Sequence, residues 1–370
     1  MPRPTYAEVD LGAIRRNFRA LKAQVGPGVR MLAIIKADAY GHGATAVGRT
    51  LEQAGADMFG VALVEEGVAL RKAGIRTPIL VMGIAPEDEV AEAVRSDLAV
   101  TVDSMCTAGA VQRQAAACGC TAKVHLKIDT GMNRLGFRAE EAPEAAVAVA
   151  RMDRLKLEGA YTHFACADED DEKPSRDQLL RLKAALAGLK SAGVAPPLVH
   201  AANSAAILKI ASAHFDMVRS GLALYGIQPC AAASGAGLRP ALTLRSRVVH
   251  LKRVRRGEGV SYGHRWKAPR DSLLGVLAIG YADGYRRLLS NRAQVRIAGR
   301  LCPVRGTICM DATMVDLTDV PGAEVGLEAT VLEAAHDSPL SAGALAELCD
   351  TIPYEILTGI SGRVPRVYVE

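Results

Sequence analysis

Lys36 closes the apolar run "MLAIIK" (31–36), and Tyr40 and a Gly-His-Gly turn follow at once in "ADAYGHG". An amine at the end of a buried strand is costly unless it is paired, deprotonated or bonded to something. A solvated strand-end lysine explains any single case of this kind. The alternative is an amine placed for carbonyl chemistry, and the rest of the chain has to discriminate between the two.

Short apolar strands are expected at 31–35, 58–62, 79–82, 98–102, 123–128, 155–161, 198–201 and 216–219. Alanine-rich helical stretches such as "EDEVAEAVRS" and "SRDQLLRLKAALAGLKSAG" separate them. Continuous apolar strands alternating with helices imply a parallel sheet buried on both faces. Eight such units fit a (β/α)8 TIM barrel. Ahead of them, "LGAIRRNFRALKAQ" spaces Ile14, Phe18 and Leu21 as a helix, with Asp10 as N-cap and Gly26-Pro27 as stop. Beyond the turn-like "AAASGAGLRP" (231–240) the pattern changes to Gly- and Pro-punctuated strands, with one helix around 341–349. The expected class is α/β: a barrel over 1–235, then a mostly-β C-terminal domain over 236–370. That second domain could also take in an N-terminal strand at about 1–9.

In such barrels the chemistry sits at the C-terminal ends of the strands. Lys36 ends the first strand and Lys127 the fifth; His163 follows the sixth; His200, Asn203 and Ser204 follow the seventh; Arg219 follows the eighth. Each alone reads as a rim salt bridge. Together they make a cationic pocket. Asn203 and Ser204 open the helix "SAAILKI", where unpartnered N–H groups favour an anion. Gly221 beside Arg219 permits close backbone approach. A phosphate on these last loops, facing an amine on the first strand, is the layout of pyridoxal phosphate in a barrel.

Composition narrows the classes further. The 370 residues are 49% hydrophobic, enough to fill two cores. No apolar run reaches the roughly 18 residues of a spanning helix, and the N-terminal stretch does not read as a secretion signal. Net charge is +5, from 45 basic and 40 acidic residues, without clustering, so nucleic acid is not implied. Eight cysteines in a long chain read as free thiols, and eight histidines show no ligand spacing, so no catalytic metal is expected.

Nine stretches complete the picture: "AIIKADAYGHG", "KIDTGMNRLGF", "THFACAD", "HAANSAA", "RSGLALYG", "VSYGHRW", "IGYADGY", "TICMDATMVDL" and "TIPYEIL". In this order they resemble the alanine racemase family over essentially the whole chain. The resemblance implies interconversion of L- and D-alanine with pyridoxal phosphate. Lys36 would hold the cofactor's aldehyde carbon and act as one base. Tyr262 would be the opposite base, supplied by the partner subunit of a homodimer with shared active sites. Arg219 would bond the pyridine nitrogen. Tyr40, Asn203, Ser204, Gly221, Leu222 and Tyr354 would bind the cofactor, chiefly at its phosphate. Arg134 would contact the substrate carboxylate and the cofactor's phenolic oxygen. His163 would support Tyr262 and Arg219, Met310 would help bind the carboxylate, and Tyr281 and Tyr354 would narrow the entrance. Lys127 would be the position that carries a carbamate facing Arg134. A cytoplasmic location and a supply of D-alanine for the cell wall also follow from the resemblance alone. The chain departs from the family pattern at Ala312, where glutamine is common, and at Arg286, where proline often stands.

The chemistry suits these residues. Racemisation removes the alpha proton from one face and returns one to the other. Lysine and tyrosine both have ordinary pKa values of about 10, so each needs a lowered one. Arg219, Arg134 and His163 are expected to disfavour a protonated Lys36 and favour a tyrosinate. Three other readings compete. A decarboxylase of the same fold would place an acid, not Arg219, at the pyridine nitrogen. A broader-specificity racemase would need a wider entrance than Tyr281 and Tyr354 suggest. A non-catalytic cofactor-binding barrel would lack residues 241–370.

Overall fold

The computed structural model describes residues 3–370, so the first two residues of the expected N-terminal strand lie outside the described residues. Two compact units make up the chain: one gathers the chain up to Ala13, Tyr40–Gly43 and Arg239–Glu370, the other Ile14–Ala39 and Ala44–Leu238.

The second of these is a closed barrel of eight parallel strands. In chain order they are Arg30–Ile34, Met58–Val61, Ile79–Val81, Leu98–Val102, Ala122–Asp129, Leu155–Tyr161, Leu198–His200 and Met217–Ser220. Each pairs in parallel with its sequence neighbour; the eighth pairs with the first to close the ring. The first four are Val-, Leu- and Ile-rich and almost wholly buried, as strands covered on both faces must be. Helices run between them, including Ala44–Gln53, Glu87–Arg95, Met105–Ala117 and Lys173–Ser191. The opening helix spans Leu11–Val25. The Asp10 carboxylate accepts from the Ala13 amide at 2.6 Å, the expected cap. Ile14, Phe18 and Leu21 are buried.

The other unit is built on the 13-residue strand Leu242–Val254. It pairs antiparallel with Tyr6–Asp10, Glu328–Leu332 and Ser272–Leu277, and Tyr6–Asp10 pairs in parallel with Arg366–Val369. The expected helix appears as Ala342–Leu348, and a second, Pro353–Thr358, follows it. Six residues are too few to show a helical period, so this second helix had no sequence signal beyond Pro353 at its start. "TICMDA" is connecting chain, and its strand is Thr313–Asp316. Among the described residues no helix is long and apolar enough to cross a membrane, and no cluster of three or more His, Cys, Asp or Glu could hold a metal ion. All eight cysteines are free thiols.

Candidate active site

The barrel brings its polar strand ends together. Lys36 stands two residues past the first strand, Lys127 within the fifth, His163 two residues past the sixth, and Arg219 within the eighth. After Lys36 the backbone makes a left-handed turn: Ala37, Asp38, Ala39 and Tyr40 have φ of 51°, 51°, 55° and 54°. This conformation costs a non-glycine residue roughly 1–2 kcal/mol, so it persists only where its surroundings hold it. Glu66 Oε1 accepts from the Ala37 amide at 2.6 Å and Asp38 Oδ1 from the Ala44 amide at 2.7 Å. Glu66 Oε2 also accepts from the Ala62 and Leu63 amides, joining the loops after the first two strands. Glu66 carried no sequence signal, because its role is set by a chain segment 29 residues away.

Arg219 is heavily bonded. It is buried, and its Nη1 and Nη2 donate to the carbonyls of His200, Thr162 and Ala201 at 2.8–3.0 Å. The same nitrogens face Nδ1 of His200 at 3.1 Å and Nδ1 of His163 at 3.2 Å. None of these five bonds uses Nε. Burial lowers the Arg219 pKa to about 10, and it stays protonated at neutral pH.

Charge in the pocket is less evenly spread than the residue types suggest. The Lys36 pKa is lowered, first by desolvation and then by the charge of Arg134, against an opposing pull from Glu66. His163 is held well below its ordinary pKa by burial and by the charges of Arg219, Lys127, Arg134 and Lys36. It is therefore neutral and adds no charge of its own, and Arg219 is not among the groups acting on Lys36. The expected three-cation effect on Lys36 reduces to Arg134 plus burial. Lys127 is likewise well below its ordinary pKa, by burial and then by Arg219 and Arg134, and its Nζ has no hydrogen-bond partner among the described residues.

The Arg134 loop is shaped by its own sequence. Asp129 Oδ1 accepts from the amides of Gly131, Met132 and Asn133. Gly136, at φ 115°, closes the loop against Lys127; a Cβ there would lie 2.8 Å from Lys127 Cγ. Gln178 donates to the His163 carbonyl at 3.0 Å, fixing the loop after the sixth strand.

At the last two strands, Ser204 Oγ accepts from the amides of Gly221 at 2.9 Å and Ala223 at 3.3 Å. Its O–H is left to donate. The Gly221 amide is thus already engaged, while Leu222 lies between the two engaged amides. Asn203 caps its helix, with Oδ1 accepting from Ala206 at 3.0 Å.

In the strand-rich unit, Tyr40 and Tyr354 place their ring centroids 5.7 Å apart, and burial raises the Tyr40 pKa. Tyr262 is 71% exposed. Its carbonyl accepts from Thr307 Oγ1 at 2.8 Å, while Ser261, at φ 62°, donates to the Thr307 carbonyl at 2.6 Å. Tyr281 and Ala282 donate backbone bonds to Cys309 and Met310, each at 3.0 Å. Tyr262, Tyr281 and Met310 thus share one hydrogen-bonded loop cluster, each with an exposed side chain.

Known proteins bear on this arrangement. A family model described as alanine racemase, N-terminal domain, matches residues 9–229, and one described as alanine racemase, C-terminal domain, matches 241–368. The alanine racemase of Symbiobacterium thermophilum is 45% identical over 367 residues, spanning 99% of this chain and 97% of its own. That of Halothermothrix orenii is 42% identical over 367 residues, with the same coverage of both chains. The solved alanine racemase of Clostridium difficile 630 superposes with a TM-score of 0.96 at 36% identity, covering 100% of this chain and 97% of that one. The chain belongs, through both of its parts, to the alanine racemase family of isomerases.

Proposed function

We propose that this protein interconverts L- and D-alanine with pyridoxal 5'-phosphate, moving protons between the substrate's alpha carbon and two opposed groups, Lys36 and a partner subunit's copy of Tyr262. One observation carries the reading: Lys36, its pKa lowered by burial and Arg134, shares a barrel mouth with a buried Arg219 whose five bonds to the described residues leave its Nε–H unused.

The donor set fits that cofactor. Lys36 supplies an amine for an aldehyde. The Arg219 Nε–H suits a ring nitrogen. The Ser204 O–H suits a phosphate oxygen, with Gly221, Leu222 and Asn203 as its further neighbours, and the family resemblance adds Tyr40 and Tyr354 as cofactor-binding residues. When bound, the cofactor supplies a sink for the electron pair left on the alpha carbon. The protein's residues do the rest. Arg219 donates and does not accept, so it holds a ring nitrogen in its unprotonated form. Arg134 orients the substrate carboxylate, with Met310 of the partner subunit helping. Lys36 takes the alpha proton on one face, and Tyr262 gives one on the other. Neutral His163 braces Arg219 without adding charge.

A neutral Lys127 amine without a hydrogen-bond partner among the described residues, near two guanidinium groups, is suited to attack carbon dioxide. The new N–C bond and the loss of one N–H proton to solvent give a carbamate anion that Arg134 would pair. Tyr262, Tyr281 and Met310, exposed on one bonded cluster, suit a homodimer in which each subunit completes its partner's site. Tyr281 and Tyr354 favour a small side chain. A cytoplasmic role in supplying D-alanine to the cell wall is the context that fits such a product.

The test is an assay of the purified protein with pyridoxal phosphate in deuterated water. L-alanine should yield D-alanine with label at the alpha carbon, and D-alanine the reverse. Tyr262→Phe should abolish exchange on one face. Turnover of lysine or arginine but not alanine moves the reading to a broader racemase. Cofactor retention without turnover of any amino acid moves it to a binding protein.

A further inference from the structure

Two buried imidazoles, His125 and His200, take no part in the chemistry above, yet both connect to Arg219. His200 ends the seventh strand and His125 lies within the fifth. Both are fully buried. His125 Nδ1 lies 3.0 Å from His200 Nε2, and His200 Nδ1 lies 3.1 Å from Arg219 Nη1.

The protons follow from what each group can do. A guanidinium only donates. His200 Nδ1 must therefore present a lone pair to Arg219, which puts the His200 proton on Nε2. That Nε2–H then meets His125 Nδ1, which must accept, so the His125 proton also sits on Nε2. The chain of donors ends there, since His125 Nε2 has no partner among the described residues. A second proton on His200 would turn an N–H toward an N–H. The charged and titratable groups facing this pair agree. Burial and then Arg219, His125 and Lys127 hold the His200 pKa well down, and burial lowers that of His125 to about 4.

The surroundings also fix both rings in place. Gly159 makes the room, since a Cβ there would lie 2.4 Å from His125 Nδ1. The Tyr161 ring stacks on His200 at 4.7 Å with an interplanar angle of 5°. The Tyr161 hydroxyl is anchored in turn: Thr101 Oγ1 donates to the Val81 carbonyl at 2.8 Å and accepts from Tyr161 at 2.8 Å. His200 is clamped on its face by Tyr161 and at both nitrogens by its neighbours.

We propose that His200 and His125 are positioning residues for Arg219: a pair of neutral imidazoles, each protonated on Nε2, that fixes the guanidinium's rotation and leaves its Nε–H for the bound cofactor. The cofactor part rests on the function proposed above; the tautomer part stands on the protein alone.

The first measurement is a long-range proton–nitrogen spectrum of the full-length protein carrying nitrogen-15 histidine, recorded without substrate. His125 and His200, together with His163, whose Nδ1 also faces Arg219, should show the neutral Nε2–H pattern, unchanged between roughly pH 6 and 9, across which an ordinary histidine titrates. His200→Asn and His125→Asn should each remove one of these signals, which assigns them. An imidazolium or an Nδ1–H tautomer at either position overturns the proposal.

The second measurement compares His200→Asn, whose Oδ1 can replace the Nδ1 acceptor, with His200→Leu, which cannot. Both are checked for native circular dichroism and then titrated with pyridoxal phosphate alone. Asn should hold the cofactor within about threefold of wild type and Leu should weaken it by tenfold or more, the range of a hydrogen bond to a charged group. Equal binding by both variants overturns the positioning role. A wild-type protein that binds no cofactor defeats the proposed function instead, while the spectrum still decides the tautomers.

Discussion

The Lys127 amine lies 4.6 Å from the centre of the Tyr161 ring and has no hydrogen-bond partner among the described residues. An ammonium over an aromatic face gains about 0.5–2 kcal/mol, whereas burying an unpaired charge costs several kcal/mol. Arg219 and Arg134 add repulsion. The amine is therefore neutral, and the ring contact is apolar packing.

A neutral Lys127 predicts a split between stability and function. Lys127→Met keeps the length of the side chain, so the unfolding free energy in urea should change by less than about 1.5 kcal/mol. Alanine racemisation should fall at least tenfold if Lys127 carries the proposed carbamate. Native mass spectrometry in bicarbonate should show an acid-labile adduct on wild type and not on the variant. A loss of several kcal/mol on substitution would show instead that Lys127 is charged and paired in the fold.

Lys36 should titrate below its ordinary 10.5, and its neighbours should move it in opposite directions. Arg134 lowers the Lys36 pKa and Glu66 raises it. Arg134→Gln should therefore shift the midpoint up, and Glu66→Gln, which keeps one acceptor oxygen for the loop amides, should shift it down. The pH dependence of amine modification at Lys36, read by peptide mass spectrometry, checks both. The sign carries over to stability: below its folded pKa the lowered group costs stability, and that cost disappears as pH rises toward 10.5. Identical midpoints in the three proteins would remove Arg134 and Glu66 from the account of Lys36.

Gly136→Ala should damage the Arg134 loop. The new Cβ meets Lys127 Cγ and the Lys127 carbonyl, each at 2.8 Å, from a backbone at φ 115°. Strain of this kind costs about 1–3 kcal/mol. Urea unfolding should register that loss, and KM for alanine should rise because Arg134 moves. Wild-type stability together with wild-type KM would show that the loop has slack.

Arg286 ties down the helix that carries Tyr354. Its Nη2 donates to the Glu355 carbonyl at 3.0 Å and lies 3.6 Å from the Glu355 carboxylate. Position 286 already has φ of −53°, which proline adopts. Arg286→Pro should cost less than about 1 kcal/mol, because the ion pair is exposed. KM for alanine should shift several-fold with kcat retained, as Tyr354 gains freedom. An unchanged KM would detach Arg286 from the proposed entrance.

The rhythm of apolar strands and alanine-rich helices was enough to place all eight barrel strands to within a residue or two, because burial on both faces leaves a continuous local signal. The same rhythm put Lys36, Lys127, His163 and Arg219 at strand ends, and Asp10 announced its helix. Tertiary structure alone decided which of those groups are charged. His163 counts as a cation by residue type, yet burial and then neighbouring basic groups, Arg219 foremost, make it neutral. His125 and His200 are 75 residues apart in the chain, and Glu66 meets Ala37 across 29. Side-chain periodicity reports a residue's own segment. Protonation, tautomer and loop clamping depend on neighbours brought in from other strands, and only closing the barrel supplies them.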